Sequence, residues 1–190
     1  MALLWLAFAT GCVWFPTDLP KTGSWPASLP SNELRSMSLV LTNMDIHVNG
    51  EGVPSFREQL AGWRTVAQST YEDSHFFSLV LPDTVTADLR AELRVTHEID
   101  GDEMLRKVSL GTLGLVPYAA KDRITLHTDF KTASGELLAS VERSGCLHQW
   151  QQLFLVLLMV PPLDRDWAAS ELFAVLNRAT LEEGHAKGIF

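Results

Sequence analysis

Two cysteines in 190 residues, Cys12 and Cys146, allow at most one disulfide, which excludes a disulfide-stapled scaffold. Positive charge is also scarce: 15 Lys and Arg stand against 23 Asp and Glu, a net charge of -8. Affinity for nucleic acid comes largely from neutralising phosphates, so this chain is expected to have no nucleic-acid partner. No apolar run reaches the length of about 20 residues that a helix needs to cross a bilayer. Signatures of chemistry are missing as well. The six histidines, at 47, 75, 97, 127, 148 and 185, form no His-Glu-x-x-His, and there is no cysteine pair at zinc spacing, no glycine-rich phosphate loop and no Gly-x-Ser-x-Gly elbow. The expectation is a noncatalytic protein with no metal site and no cofactor.

What is present is apolar sequence gathered into a few runs. Residues 3 to 9, Leu-Leu-Trp-Leu-Ala-Phe-Ala, have the length of a signal-peptide core and are too short to span a membrane. They close on Ala9-Thr10-Gly11-Cys12, which resembles the lipobox of bacterial lipoproteins, where small residues precede a cysteine that is acylated and becomes the new N-terminus. The resemblance implies a signal peptide over residues 1–11, Cys12 as the lipid anchor and the membrane as a partner through that lipid. Several acyl chains together anchor a protein durably, because each buried methylene adds about 0.8 kcal/mol. Val13 follows the cysteine, and by likeness to Gram-negative lipoproteins this implies the periplasmic face of the outer membrane. From Phe15 to Asn32 four prolines stand among Gly, Ser and Thr, which predicts a Pro-rich tether over residues 12–35. A competing reading makes Leu3 to Phe8 a buried strand and Cys12 a core thiol.

The remainder, residues 36–188, is long enough for one core and reads as a single α+β domain, a mainly antiparallel sheet of about six strands with two packing helices. Val40, Met44, Ile46 and Val48 alternate with polar residues as in a half-buried strand, and Ala87 to Ile99 alternates in the same way. Ser55-Phe56-Arg57-Glu58 matches a capping box, and Phe56, Leu60, Trp63 and Ala67 follow at helical spacing. His75 to Leu81 is continuously apolar and predicts a central strand buried on both faces. Asp100-Gly101 predicts a tight turn, with Met104 to Ser109 returning as a partner strand. Arg123 to Lys131 and Glu136 to Glu142 predict a hairpin around Ala133-Ser134-Gly135. A last helix, capped by Asp164 or Asp166, would bury Trp167, Leu172, Val175, Leu176 and Ala179. Glu182, Glu183 and His185 are expected to fray at its end.

Two apolar runs flank the second hairpin: Leu110 to Ala120, and Leu153 to Val160 (LFLVLLMV), which Trp150 precedes and Pro161-Pro162 follows. Both should emerge at the end of the sheet opposite the Ala133-Ser134-Gly135 turn and lie side by side. They either complete the core or form an exposed apolar end that faces membrane or another envelope protein through Tyr118, Trp150, Leu153, Phe154, Leu155, Leu157 and Leu158. Glu at Leu155 and Leu157 separates the two, since a core site would unfold and a contact site would not. SLGTLGLVPY, a hairpin with a Ser-Gly turn, a Trp-containing apolar run ending in prolines and a terminal helix, over residues 105 to 188, resemble small Gram-negative envelope lipoproteins without assigned activity. Three functions follow as expectations: a lipid-anchored structural or assembly component, a periplasmic carrier enclosing an apolar, lipid-like ligand, or a hydrolase in which His97 or His127 meets a carboxylate and a nucleophile in a cleft. His127 and Asp129 share a strand face and are expected as solvated surface. His97 on an apolar face is expected to satisfy a backbone carbonyl.

Overall fold

The computed structural model describes residues 11–23, 25, 34–55, 57–82, 85–112, 115–152 and 165–190. In chain order the elements are β1 (Gly11–Thr17), β2 (Arg35–Val48), β3 (Glu51–Val53), α1 (Arg57–Asp73), β4 (Phe77–Pro82), β5 (Leu89–Gly101), α2 (Glu103–Gly111), β6 (Tyr118–Thr132), β7 (Leu137–Gln152) and α3 (Arg165–Ala186). The seven strands form one sheet in the order β1-β7-β6-β5-β2-β3, with β4 paired to β2 beside β3. The α+β class holds, but the sheet is mixed: β2 runs parallel to both β4 and β5, and the remaining pairings are antiparallel. The β2/β4 pair is parallel because α1 lies between the two strands, and a strand reached through a helix returns in the same direction.

Alternation along the strands sets the burial. On β5 the residues Leu89, Ala91, Leu93 and Val95 point inward, and on β6 Ile124, Leu126 and Phe130 do so, each at most 2% exposed. α1 and α3 cover this part of the sheet, with Ala67 and Tyr71 from α1 meeting Leu172, Phe173 and Leu176 from α3. Trp63 seals the helix pair, its ring centroid 4.5 Å from that of Phe173. The β6/β7 hairpin turns through Ala133 and Ser134 into Gly135, whose φ of +88° is costly for any residue with a Cβ.

Several expectations are corrected. Met104 to Ser109 is helix, not strand: the Asp102 carboxylate accepts the Leu105 amide at 2.9 Å, and the Lys107 ammonium donates to Glu103 one turn earlier at 2.9 Å. An N-cap and an i,i+4 pair together outweigh the Asp-Gly turn signal. Phe77 to Pro82 is an edge strand rather than a central one, paired only with the first residues of β2 and leaving Leu79 56% exposed. Pro82 suits that place, since an edge strand tolerates a missing amide donor. Residues 11–17 are not tether but the edge strand β1, paired along its whole length with β7, and Trp14 joins the core.

The end of α3 is also ordered rather than frayed. Glu182 accepts the Gly23 amide at 2.8 Å, Glu183 pairs with Arg143 and Lys187, and His185 stacks on Phe76 with 5.0 Å between centroids. Phe190, beyond the expected domain limit at 188, packs on Phe77 and Phe130. Trp167 is 58% exposed, and the buried stripe of α3 runs instead through Ala168, Leu172, Phe173 and Leu176. No helix among the described residues is long and apolar enough to cross a membrane.

Candidate functional site

The register of the strands gathers several sequence features at one end of the sheet. Gly11 and Cys12 pair with Gln152 and Gln151, and Tyr118 pairs with Gln151, so β1 begins, β6 begins and β7 ends together, opposite the Ala133-Ser134-Gly135 turn. β5 ends at the same place and passes directly into α2. The start of β6, with the last residues of the first apolar run, is thereby set beside the end of β7. The first run splits, Leu110 and Gly111 closing α2 and Tyr118 to Ala120 opening β6. The second, with Leu153, Phe154, Leu155, Leu157 and Leu158, lies outside the described residues. The capping contacts expected of Ser55 to Glu58 also lie outside them, as does the side chain of Cys12.

Tyr118 and Trp150 do not form one boundary. They belong to opposite faces of the sheet: Trp150 is 43% exposed on the outer face, while Tyr118 is buried on the inner one. Among the described residues, much of the exposed apolar surface at this end comes from α2. Met104, Leu105 and Val108 lie on one side of the helix and are 77%, 39% and 42% exposed, and Leu115 just beyond is also open to solvent. The opposite side of α2, with Glu103, Arg106 and Leu110, faces a cavity of about 450 Å³.

That cavity lies on the inner face of the sheet, where the strands run past the cover of α1 and α3. Inward positions that carry Leu and Val farther down the strands carry polar groups here: Tyr118 and Asp122 on β6, Gln149 and Gln151 on β7. Asp122 is fully buried, and His97 Nε2 stands 3.3 Å from its Oδ2, so the partner of His97 is a carboxylate rather than the expected carbonyl. The ring of Trp63 lies 6.1 Å behind His97. Asn49, at φ +50°, fixes the rim: its amide donates to the Ile99 carbonyl at 2.9 Å and its side-chain oxygen accepts the Gly101 amide at 3.0 Å. Gly101 is required at the end of β5 because a Cβ there would collide with the Tyr118 hydroxyl. Lys107, through its hydrogen bond and its charge, holds the Glu103 carboxyl below the ordinary value.

A second polar cluster occupies the outer face. His127 Nε2 lies 3.1 Å from Asp129 Oδ1 and 3.1 Å from Ser140 Oγ, and the Ser140 hydroxyl also donates to Asp129. Burial works to raise the Asp129 pKa, but Ser140, His127 and Arg94 outweigh it and hold the carboxyl below its usual range. These are the residue types of a hydrolytic triad without its wiring. A relay needs serine and carboxylate on opposite ring nitrogens, whereas here both meet the same one, and Glu142 stands 3.7 Å from Nδ1, beyond hydrogen-bond reach. The cluster continues the ion pairs that cross this face, Arg94 with Asp129 and Lys131 with Glu92.

Sequence reasoning missed Asp122, Gln149, Gln151 and Asn49. The signal was available for Asp122, because the alternation that turns Ile124, Leu126 and Phe130 inward also turns Asp122 inward. A carboxylate on the apolar side of a strand marks a site or a buried pair. The carrier expectation called for an internal apolar cavity, and this cavity, with polar side chains across its floor, lends it no support.

No family model and no curated protein matches the chain. Among solved structures it is similar to a putative neuraminyllactose-binding hemagglutinin homolog from Helicobacter pylori, at 11% identity over 90% of this chain and 91% of that one, with a TM-score of 0.44. It is also similar to a PelC dodecamer from Paraburkholderia phytofirmans in two crystal forms, at 9% and 8% identity over 88% of this chain and 96% of that one, with TM-scores of 0.37 and 0.38. Likenesses this distant identify neither a ligand nor an activity.

Proposed function

We propose that this is a lipid-anchored, noncatalytic envelope protein, acylated at Cys12 and held at the periplasmic face of the outer membrane, which serves as a structural or assembly component through its apolar end. The observation that carries the reading is the register at β1. Cys12 is paired with Gln151, one residue short of the end of β7, after which Leu153 to Val160 follows. A lipid on Cys12 would thus leave the sheet at the end that also holds α2 and its exposed Met104, Leu105 and Val108. Because β1 leaves no slack after the cysteine, the anchor would hold that end of the domain against the lipid surface instead of letting it swing on a tether. Apolar side chains on a short helix with Lys107 nearby suit the boundary between headgroups and acyl chains.

Intact mass and membrane fractionation of the native protein beside Cys12→Ala test this reading. The expected result is a chain beginning at acylated Cys12 in the membrane fraction, and a Cys12→Ala chain that keeps its leader. An unacylated chain beginning at Met1 would overturn it and favour Cys12 as an ordinary residue of strand β1.

A further inference from the structure

We propose that the cavity beside α2 binds a hydroxyl-rich ligand without positive charge, a sugar ring in size and chemistry. The inference rests on the cavity alone and is independent of the lipid anchor. Three carboxamides face it, those of Asn49, Gln149 and Gln151, together with the Tyr118 hydroxyl. A carboxamide both donates and accepts, as does a phenol, and a ligand hydroxyl has the same double character, so such a wall satisfies hydroxyls in either orientation.

The two carboxylates at the cavity are already engaged. Asp122 faces His97 at 3.3 Å, and Glu103 takes the Lys107 ammonium at 2.9 Å, so neither is a spare counter-charge for a cation. Arg106 adds a fan of donors at the rim. Trp14, Ile99 and Leu110 supply an apolar side, which matches the C–H face that a pyranose presents between its hydroxyl edges. A volume of about 450 Å³ falls within the usual range for small-molecule sites, and a wall of apolar groups with a few convergent polar ones is their usual composition. The polar floor is also built rather than accidental. Asp122 and Gln151 are 0% and 3% exposed, and they hold inward positions where an apolar residue would extend the core.

Titration of the isotope-labelled full chain with glucose and with N-acetylglucosamine, followed by amide resonances, tests the proposal. Saturable changes confined to Gly101, Tyr118, Gln149, Gln151 and their neighbours are expected, with millimolar dissociation constants, as for a single small polar ligand. Arg106→Ala and Gln149→Leu should each weaken binding by about tenfold or more, and since Arg106 is exposed its loss leaves folding intact as an internal check. Absence of saturation with both sugars would overturn the proposal. So would binding that survives both substitutions unchanged, or saturation by ethanolamine in place of the sugars, which would make this a cation site.

Discussion

The two ends of the sheet's inner face are built by the same strands, β5, β6 and β7, and obey opposite rules. Under α1 and α3 the inward residues are Leu93, Val95, Leu126 and Phe130, fully or almost fully buried and touching one another. Beside α2 the same strands turn Tyr118, Asp122, Gln149 and Gln151 inward around open space. Burying apolar area stabilises a fold by about 25 cal/mol per Å², so an end that forgoes it contributes less to stability and is free to answer to binding. The contrast extends to the helices. α1 and α3 give their apolar sides to the sheet, whereas α2 turns Met104, Leu105 and Val108 to solvent.

Substitutions at matched positions should break the comparison apart. The largest effect is expected from Leu126→Ala, which removes a fully buried side chain from the packed end and should cost about 2–5 kcal/mol in urea unfolding. Asp102→Ala removes the cap that sets α2 and should cost about 1 kcal/mol, read as faster amide exchange within residues 103–111 while α1 and α3 keep their protection. Gln149→Leu, at the polar end, should leave the unfolding free energy within about 0.5 kcal/mol of the parent. A cost near that of Leu126→Ala would erase the distinction between the ends.

The smallest effect concerns pH. The Lys187 hydrogen bond holds Glu183 below its ordinary value against the opposing effect of burial, with Arg143 assisting, and Asp129 is lowered by its own partners. A carboxyl whose folded pKa lies below its unfolded one stabilises the fold above the unfolded value, and that contribution is lost as pH falls through the folded value. Stability should therefore decline only once the pH drops below the ordinary carboxylate range. Glu183→Gln should flatten that decline slightly, which urea midpoints at successive pH values will register. A decline that begins near neutrality would place the responsible group elsewhere.

Much of the packed end was legible in the sequence, because there the period of burial equals the period of the element. Ile124, Leu126 and Phe130 announced β6, Leu172 and Leu176 announced α3, and Ala133-Ser134-Gly135 announced the turn between β6 and β7. At the other end competing signals won. Asp100-Gly101 looks like a hairpin turn, yet Asp102 two residues on is a helix cap, and only the cap is used. Pro16 and its neighbours suggest a tether, yet an edge strand accepts proline, and pairing with β7 orders them. Trp150 was read as a boundary residue and is exposed, but Tyr118, one register step away, lies on the other face. The cavity itself was illegible, since Asn49, just past the end of β2, and Gln149 and Gln151, on β7, converge only through the pairing of the strands between them and share no local motif.

Hydrogen exchange on the full chain in lipid vesicles, compared with the same chain kept in solution, tests most directly the claim that the α2 end is the working surface and the α1 and α3 end its support. The account predicts added protection across residues 103–111 and 149–152 on the vesicle, with α1 and β4 unchanged. Protection that appears at β4 and the Ala133-Ser134-Gly135 turn, or that leaves α2 as it is in solution, would contradict it.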